Sequence, residues 1–343
     1  MRSLTLGRTG ITVPQNAFGA LPIQRVSDEE ACRLLMRAFE GGMRYFDTAR
    51  AYSDSEHKLG LVFSDASGLR EQVIIASKTM AKDPEGFWAD LETSLEQLQT
   101  SYIDIYQFHC MEQVWAPGDG SGMYECMLQA REKGLIRHIG ATAHKIGVAE
   151  DLVASGLYET LQFPFSYLLG EREERLCRMA ADADMGFICM KGLAGGLITD
   201  AEAAMAYVLQ FPALPIWGIQ RESELDDWLA LMDAEPRIDE KIQAIIDADR
   251  AELSGEFCRG CGYCQPCPQE ILIQQCARMS LMLRRAPGDY WLGPEMQAEM
   301  AKIENCTNCR TCTTRCPYEL SIPELLQRNY ADYQAVLADD VQV

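Results

Sequence analysis

"RYFDTARAYSDSEHKLG", residues 44 to 60, passes from an apolar run to a carboxylate, then to a tyrosine and the start of a helical stretch. A strand that ends on a titratable residue and hands over to a helix is the repeating unit of an α/β fold. The same grammar recurs in both directions along the chain. Short runs rich in β-branched and aromatic residues stand at "NAFGA" (16–20), "RYFDTA" (44–49), "VIIASKT" (73–79), "YIDIYQFH" (102–109), "IRHIGATA" (136–143), "TLQFPFS" (160–166), "GFICMKG" (186–192) and "PIWGI" (215–219).

Helical periods lie between these runs. Trp88, Leu91, Leu95 and Leu98 share one helix face. Ser27-Asp28 starts "EEACRLLMRAFEGG", which stops at Gly41-Gly42. Eight strand–helix units in about 230 residues predict an α/β fold, a (β/α)8 TIM barrel. No Gly-rich fingerprint follows the first strand, which disfavours a doubly wound open sheet. The opening "LTLGRTGITVPQ" reads as a hairpin turning at Gly7 to Gly10, placed to plug the barrel's bottom.

After residue 234 the rhythm breaks. "RIDEKIQAIIDADRAEL" (237–253) is one amphipathic helix, and two cysteine runs follow it. The expected division is a barrel over 1–235, then a linker helix and a small α-rich ferredoxin-like domain over 236–343. The first run is Cys258, Cys261, Cys264, Cys267 and Pro268, spaced C-x2-C-x2-C-x2-C-P. The second is Cys306, Cys309, Cys312, Cys316 and Pro317, spaced C-x2-C-x2-C-x3-C-P. The second spacing is that of bacterial ferredoxins, and the two runs together predict two 4Fe–4S clusters in preference to a zinc ribbon. Cys32, Cys110, Cys126, Cys177, Cys189 and Cys276 are scattered and read as packing residues.

Lys+Arg number 31 against 51 Asp+Glu, a net charge of −20 that argues against nucleic acid and anionic membranes as partners. No apolar segment suits a signal peptide or a membrane span. The expectation is a cytoplasmic protein.

Barrels of this kind carry their chemistry at the C-terminal ends of the strands. Three consecutive strands end on Asp47, Lys78 and His109, with Tyr52 five residues past the first. This set suits carbonyl reduction. A carbonyl that gains hydride develops negative charge on oxygen, and something must protonate it. Tyr52 can donate, a lysine beside it stabilises the phenolate, and an aspartate keeps the lysine charged and placed. A histidine can orient the substrate.

"FDTARAYSDSEHKLG" resembles the signature of the aldo-keto reductases. "IIASK" and "YIDIYQFH" resemble that family's lysine and histidine strands, and "LGRTGITVP" its N-terminal hairpin. The resemblance covers residues 1 to about 233. It implies a barrel that binds NADP(H) without a Rossmann domain, with Tyr52 as acid, Lys78 and Asp47 as its tuning pair, and His109 as substrate orienter.

The resemblance also implies a nicotinamide grip. Thr142 stands where the family has serine, and Gln162 matches its carboxamide-binding glutamine. Ala143 replaces an asparagine that it cannot mimic. Met190 takes the place of a stacking aromatic residue. Gly192, Gly195 and Gly196 allow close approach of a pyrophosphate or form a plain turn. Arg221 is the one candidate for a 2′-phosphate after the last strand. NAD and flavin stay open as alternatives to NADP(H). In two-cluster ferredoxins the fourth cysteine of each run serves the other cluster. Carried over, Cys258, Cys261, Cys264 and Cys316 bind one cluster, and Cys306, Cys309, Cys312 and Cys267 bind the second.

The functional expectation is an oxidoreductase acting on a small carbonyl or alcohol substrate, with the clusters relaying electrons to or from a ferredoxin-like partner. The alternatives are a flavin-dependent reductase, or a redox sensor using the barrel as a binding module. Trp115 sits where a loop could touch substrate or pack the rim.

Overall fold

A computed structural model describes residues 1–253, 257–285 and 289–338. Packing divides the chain into two units. One comprises Met1–Gly192 with Ala201–Gln243, the other Leu193–Asp200 with Ala244–Val343.

In the first unit β1 (Ser3–Thr5) and β2 (Thr12–Pro14) form an antiparallel hairpin. Eight strands then close a parallel barrel: β3 (Ala17–Gly19), β4 (Tyr45–Asp47), β5 (Ile74–Thr79), β6 (Ile103–Phe108), β7 (Ile136–Thr142), β8 (Thr160–Pro164), β9 (Gly186–Met190) and β10 (Ala213–Gly218), with β10 pairing back to β3. The (β/α)8 architecture is the one expected, and each strand forms from its expected run, with β10 beginning two residues earlier at Ala213.

Helices α1 (Asp28–Glu40), α2 (Ser55–Phe63), α3 (Pro84–Leu98), α4 (Met123–Glu132), α5 (Ile146–Ser155), α6 (Glu171–Asp182), α7 (Ala201–Val208) and α8 (Glu222–Asp233) alternate with the strands. Helix α1 begins where its sequence says it should. The Glu30 amide donates to the Ser27 hydroxyl, and the Ser27 amide donates to the Glu30 carboxylate, a reciprocal cap that satisfies two otherwise orphaned donors. Its buried face is Ala31, Leu34, Leu35 and Ala38.

Helix α3 differs by one position from its expected face. Phe87, Leu91, Ser94 and Leu98 are buried, while Trp88 and Leu95 sit at the edge. Phe87 wins because its ring meets Tyr106 edge-on at 5.8 Å and Phe108 at 6.2 Å, and aromatic pairs at such separations add to area burial.

The hairpin does close the barrel's lower end. Leu6 and Val13 pack with Ala17, Tyr45, Ala76, Ile105, Ile188, Leu214 and Ile216. Gly7 is the hinge. Its φ is +48°, and a Cβ there would lie 2.4 Å from the Asp184 carbonyl oxygen, so only glycine lets the hairpin lie against the approach to β9.

The second unit is α-rich. Helix Ile322–Leu337 packs on the short helices Ile273–Cys276 and Met279–Arg285. The cysteines lie largely in irregular segments, on either side of the single turn Thr311–Arg315. Among the described residues no helix is long and apolar enough to cross a membrane.

Candidate active site and cysteine hollows

Asp47 ends β4, Lys78 lies on the neighbouring strand β5, and His109 directly follows β6. Parallel pairing brings these strand ends side by side. The Lys78 ammonium donates to Asp47 Oδ1 at 2.6 Å and to the Thr48 carbonyl at 2.6 Å. The same nitrogen lies 5.0 Å from the centre of the Tyr52 ring. Tyr52 meets the His109 ring edge-on, with centroids 5.8 Å apart. Asp47, Tyr52, Lys78 and His109 are therefore one cluster, although 62 residues separate its ends.

Electrostatics assigns each group a protonation state. Burial works against the Lys78 charge, but Asp47 and Tyr52, with Cys110, together outweigh it and hold the ammonium pKa above its ordinary value. Burial raises the Asp47 pKa, opposed by Lys78, Gln162 and Gln107. For Tyr52 the balance differs from the sequence expectation. Burial raises its pKa more than Lys78 lowers it, because removing a phenolate from water costs more than one nearby cation returns. The phenol therefore keeps its proton at neutral pH. Burial, helped by Lys78, pushes His109 down to about 3. It is a neutral imidazole, and its buried Nδ1 has no protein partner.

Gln162 is drawn inward. Its amide donates toward Asp47 Oδ1 at 3.5 Å and accepts from Gln107 Nε2 at 3.1 Å. Gln107, fully buried on β6, did not stand out in the sequence reading. The available signal was parity, since Ile105, Gln107 and His109 alternate toward one side of the strand. Room for it comes from Gly140, where a Cβ would fall 2.8 Å from Gln107 Cγ and 2.3 Å from Thr160 Oγ1.

Thr142 is buried at the end of β7, and its hydroxyl accepts the Cys110 amide at 2.7 Å. Ala143 is fully buried beside it. Cys110, read from sequence as a packing residue, has φ +58° and lies close enough to Lys78 and Tyr52 to influence both electrostatically. His144 is buried nearby, and its pKa is pushed well down by burial, with Lys191 and His109 adding to the effect.

The remaining candidates are dispersed. Met190 is half-buried at the end of β9. A Cβ on Gly192 would lie 2.5 Å from the Trp217 ring, so this glycine makes room for an indole that stacks on Trp228 at 3.9 Å. Gly195, with φ +73°, and Gly196, with φ +94°, belong to the segment grouped with the second unit. There the Gly195 carbonyl accepts Arg278 Nη1 at 2.6 Å. Arg221 is exposed at the start of α8. Trp115 packs edge-on against Phe108 at 4.5 Å, and its carbonyl accepts the Tyr158 hydroxyl.

In the second unit two hollows sort the cysteines. One, of about 260 Å³ including its open part, is lined by Cys258, Cys261, Cys264 and Cys316. The other, of about 390 Å³, is lined by Cys264, Cys267, Cys306, Cys309 and Cys312. Each run thus sends its last cysteine to the other run's hollow, and Cys264 borders both. Among the described residues no three His, Cys, Asp or Glu side chains group so as to hold a single metal ion. A tetrahedral zinc site needs such convergence at roughly 2.3 Å. Thiols spread around a hollow suit a cubane, whose irons stand apart.

Residues 16–211 match the family model of the aldo/keto reductases, and residues 257–321 match that of a 4Fe-4S dicluster domain. The first match takes in more than half of the chain, which belongs to the aldo/keto reductase family. It is 32% identical over 151 residues to an aldo-keto reductase of Mycolicibacterium paratuberculosis, covering 42% of this chain and 49% of that one. It is also 32% identical over 144 residues to the methylglyoxal reductase DkgA of Escherichia coli O157:H7, covering 42% and 50%. The chain thus spans about half the length of these curated relatives. A solved aldo-keto reductase from Klebsiella pneumoniae, in complex with NADPH, shares the fold with a TM-score of 0.62 at 19% identity, over 72% of this chain and 94% of that one.

Proposed function

We propose that the chain is an oxidoreductase that reduces an aldehyde or ketone, or runs in reverse on an alcohol, in a barrel of residues 1–235 joined to a cluster domain of residues 236–343. The reading is supported above all by the Lys78 ammonium held at 2.6 Å from Asp47 Oδ1 beneath the Tyr52 ring. Family membership and the methylglyoxal reductase among the relatives point the same way. The substrate is a small carbonyl or alcohol.

NADP(H) is the cofactor that the NADPH-bound neighbour suggests. Thr142, Gln162 and Met190 are the residues that would hold its nicotinamide, with Gly192 and Arg221 toward its phosphates. Bound there, it supplies the hydride. The chain's own part is the proton. Tyr52, protonated at neutral pH, donates its phenolic proton to the carbonyl oxygen. Lys78 stabilises the phenolate left behind, and Asp47 holds Lys78 in place. Neutral His109 orients the carbonyl by hydrogen bonding. In the oxidation direction the same phenolate takes the alcohol's proton.

Cys258, Cys261, Cys264 and Cys316 would hold one 4Fe–4S cluster, and Cys267, Cys306, Cys309 and Cys312 the second, which supply one-electron exchange with a ferredoxin-like partner. A second reading, with a flavin in the barrel, is favoured by one observation. Gln162 is already engaged by Asp47 and Gln107, and Ala143 offers nothing polar, so the nicotinamide grip is thinner than the family's.

The test is Tyr52→Phe in anaerobically purified protein. Turnover of a carbonyl panel is expected to fall by roughly 10²–10⁴, the usual worth of a positioned acid, while nucleotide binding persists. Unchanged turnover removes Tyr52 from the acid role. Identifying the nucleotide released on denaturation separates NADP(H) from flavin.

A further inference from the structure

The two cysteine hollows differ in the charge placed beside them. The first is lined by Arg259 together with Cys258, Cys261, Cys264, Cys316 and Tyr318. The Arg259 guanidinium is sandwiched, 4.6 Å from the Phe257 ring centre and 4.3 Å from that of Tyr318. Its buried Nε has no partner. Arg278 approaches the same loop at Gly260. Its Nη1 lies 2.8 Å from where a Cβ on Gly260 would stand, and Gly260 has φ +66°. Arg278 also lies close enough to Cys258 to interact with it electrostatically. Among the described residues neither guanidinium has a carboxylate within ion-pair distance.

The second hollow is arranged otherwise. Arg310, which lines it, is paired with the Glu324 carboxylate, so its charge is offset, and Arg315, which donates to the Gln265 and Pro266 carbonyls at 3.3 Å, is exposed to screening solvent. Its thiols are also wetter. Cys309 is exposed and Cys267, Cys306 and Cys312 are half-buried, whereas in the first set only Cys261 is half-buried and Cys258, Cys264 and Cys316 are buried.

We propose that Arg259 and Arg278 are electrostatic positioning residues that raise the reduction potential of the cluster held by Cys258, Cys261, Cys264 and Cys316, and of that cluster alone. This rests on the reading of both hollows as cubane sites. Adding an electron to a cubane on four thiolates deepens its negative charge by one, and nearby charge and burial set how readily that happens. A guanidinium stays protonated at any working pH. Packed between aromatic rings, it is screened less by water than a surface cation. Water beside the second hollow stabilises added charge too, so the centres differ in what stabilises their reduced state. Fixed guanidinium charge serves the first, and solvent serves the second. The glycine at 260 fits this role, because any side chain there would displace Arg278.

The experiment is a redox titration of the full, cluster-loaded chain, followed by electron paramagnetic resonance, for wild type, Arg259→Gln, Arg278→Gln and Arg259→Lys. In each glutamine variant one of the two cluster signals is expected to titrate at lower potential while the other stays in place. Arg259→Lys, which keeps the charge, is expected to stay closer to wild type than Arg259→Gln. Potentials unmoved in both glutamine variants, or both signals moving together, overturn the proposal. So does a lysine variant that shifts as far as glutamine. If Arg259→Gln loses its iron, Arg278→Gln and Arg259→Lys decide by the same criteria. Iron and sulfide analysis of the same samples separates the two levels. Wild-type protein unable to hold iron overturns the cluster reading itself, whereas a fully loaded chain with unmoved potentials overturns only the tuning.

Discussion

The barrel and the cysteine unit solve the problem of placing reactive groups in opposite ways. In the barrel, Asp47, Lys78 and His109 stand on or just beyond neighbouring strands whose hydrogen-bonded register fixes them to one another. The core beneath them, with Tyr45, Phe46 and Tyr106 fully buried, is made of the chain's own side chains. In the second unit the cysteines of the two runs sit largely in irregular segments that pass through positive φ at Gly260, Gly262, Asn308 and Arg310. Proton transfer needs groups placed to hydrogen-bond precision, which a closed sheet can supply. A cluster brings its own geometry, so the chain need only present thiols around a hollow and surround them suitably.

The widest break between the regions should come from stripping iron. Chelation under reducing conditions is expected to unravel the second unit, since the site's binding free energy is also folding free energy, while the barrel keeps its protection. Hydrogen exchange reads both regions in one experiment, and equal loss of protection in both would end the contrast. Lys78→Met should then hurt the barrel alone. It leaves Asp47 buried without its cation, a change that costs about 3–5 kcal/mol. Urea unfolding of the barrel against intact cluster absorbance checks this.

Gly192→Ala is a smaller probe. A Cβ 2.5 Å from the Trp217 ring is overpacking, expected to cost about 1–3 kcal/mol. A variant of unchanged stability but weakened nucleotide binding would instead show that the glycine serves a pyrophosphate. Acid stability should show the smallest effect. Unfolded, His109 takes a proton near pH 6.5, and folded only near pH 3. Between those values the unfolded chain binds more protons. The neutral imidazole's contribution is therefore complete above pH 6.5 and is lost as pH falls toward 3. His109→Gln removes that dependence, so the stability gap between wild type and variant should change between pH 7 and pH 4. A constant gap would place His109 in water.

Most of this was legible before any coordinates, for uneven reasons. The eight strands were readable because buried parallel strands are short continuous apolar runs. The cysteine runs were readable because cluster ligation depends on local spacing. The catalytic set could be nominated because barrel chemistry sits at strand ends. Gln107 escaped notice because its importance lies in an amide facing Gln162, 55 residues away. The helix α3 face was misjudged by one position because Phe87 and Trp88 are equally apolar on paper, and only the rings beneath choose between them. That the Trp217 ring stands beside Gly192 could not be read at all, because the two are far apart in the chain and meet only in the fold.

What the sequence determined by itself is whatever is local: the alternation of strands and helices, the capping box at Ser27, and the spacing of the thiols. Tertiary structure alone decided that Gln162 spends its amide on Asp47, which way burial tips Tyr52, and which of two hollows has partly buried, unpaired guanidinium charge beside it. Those outcomes depend on distance and solvent exclusion between residues far apart in the chain, and neither quantity exists until the chain has folded.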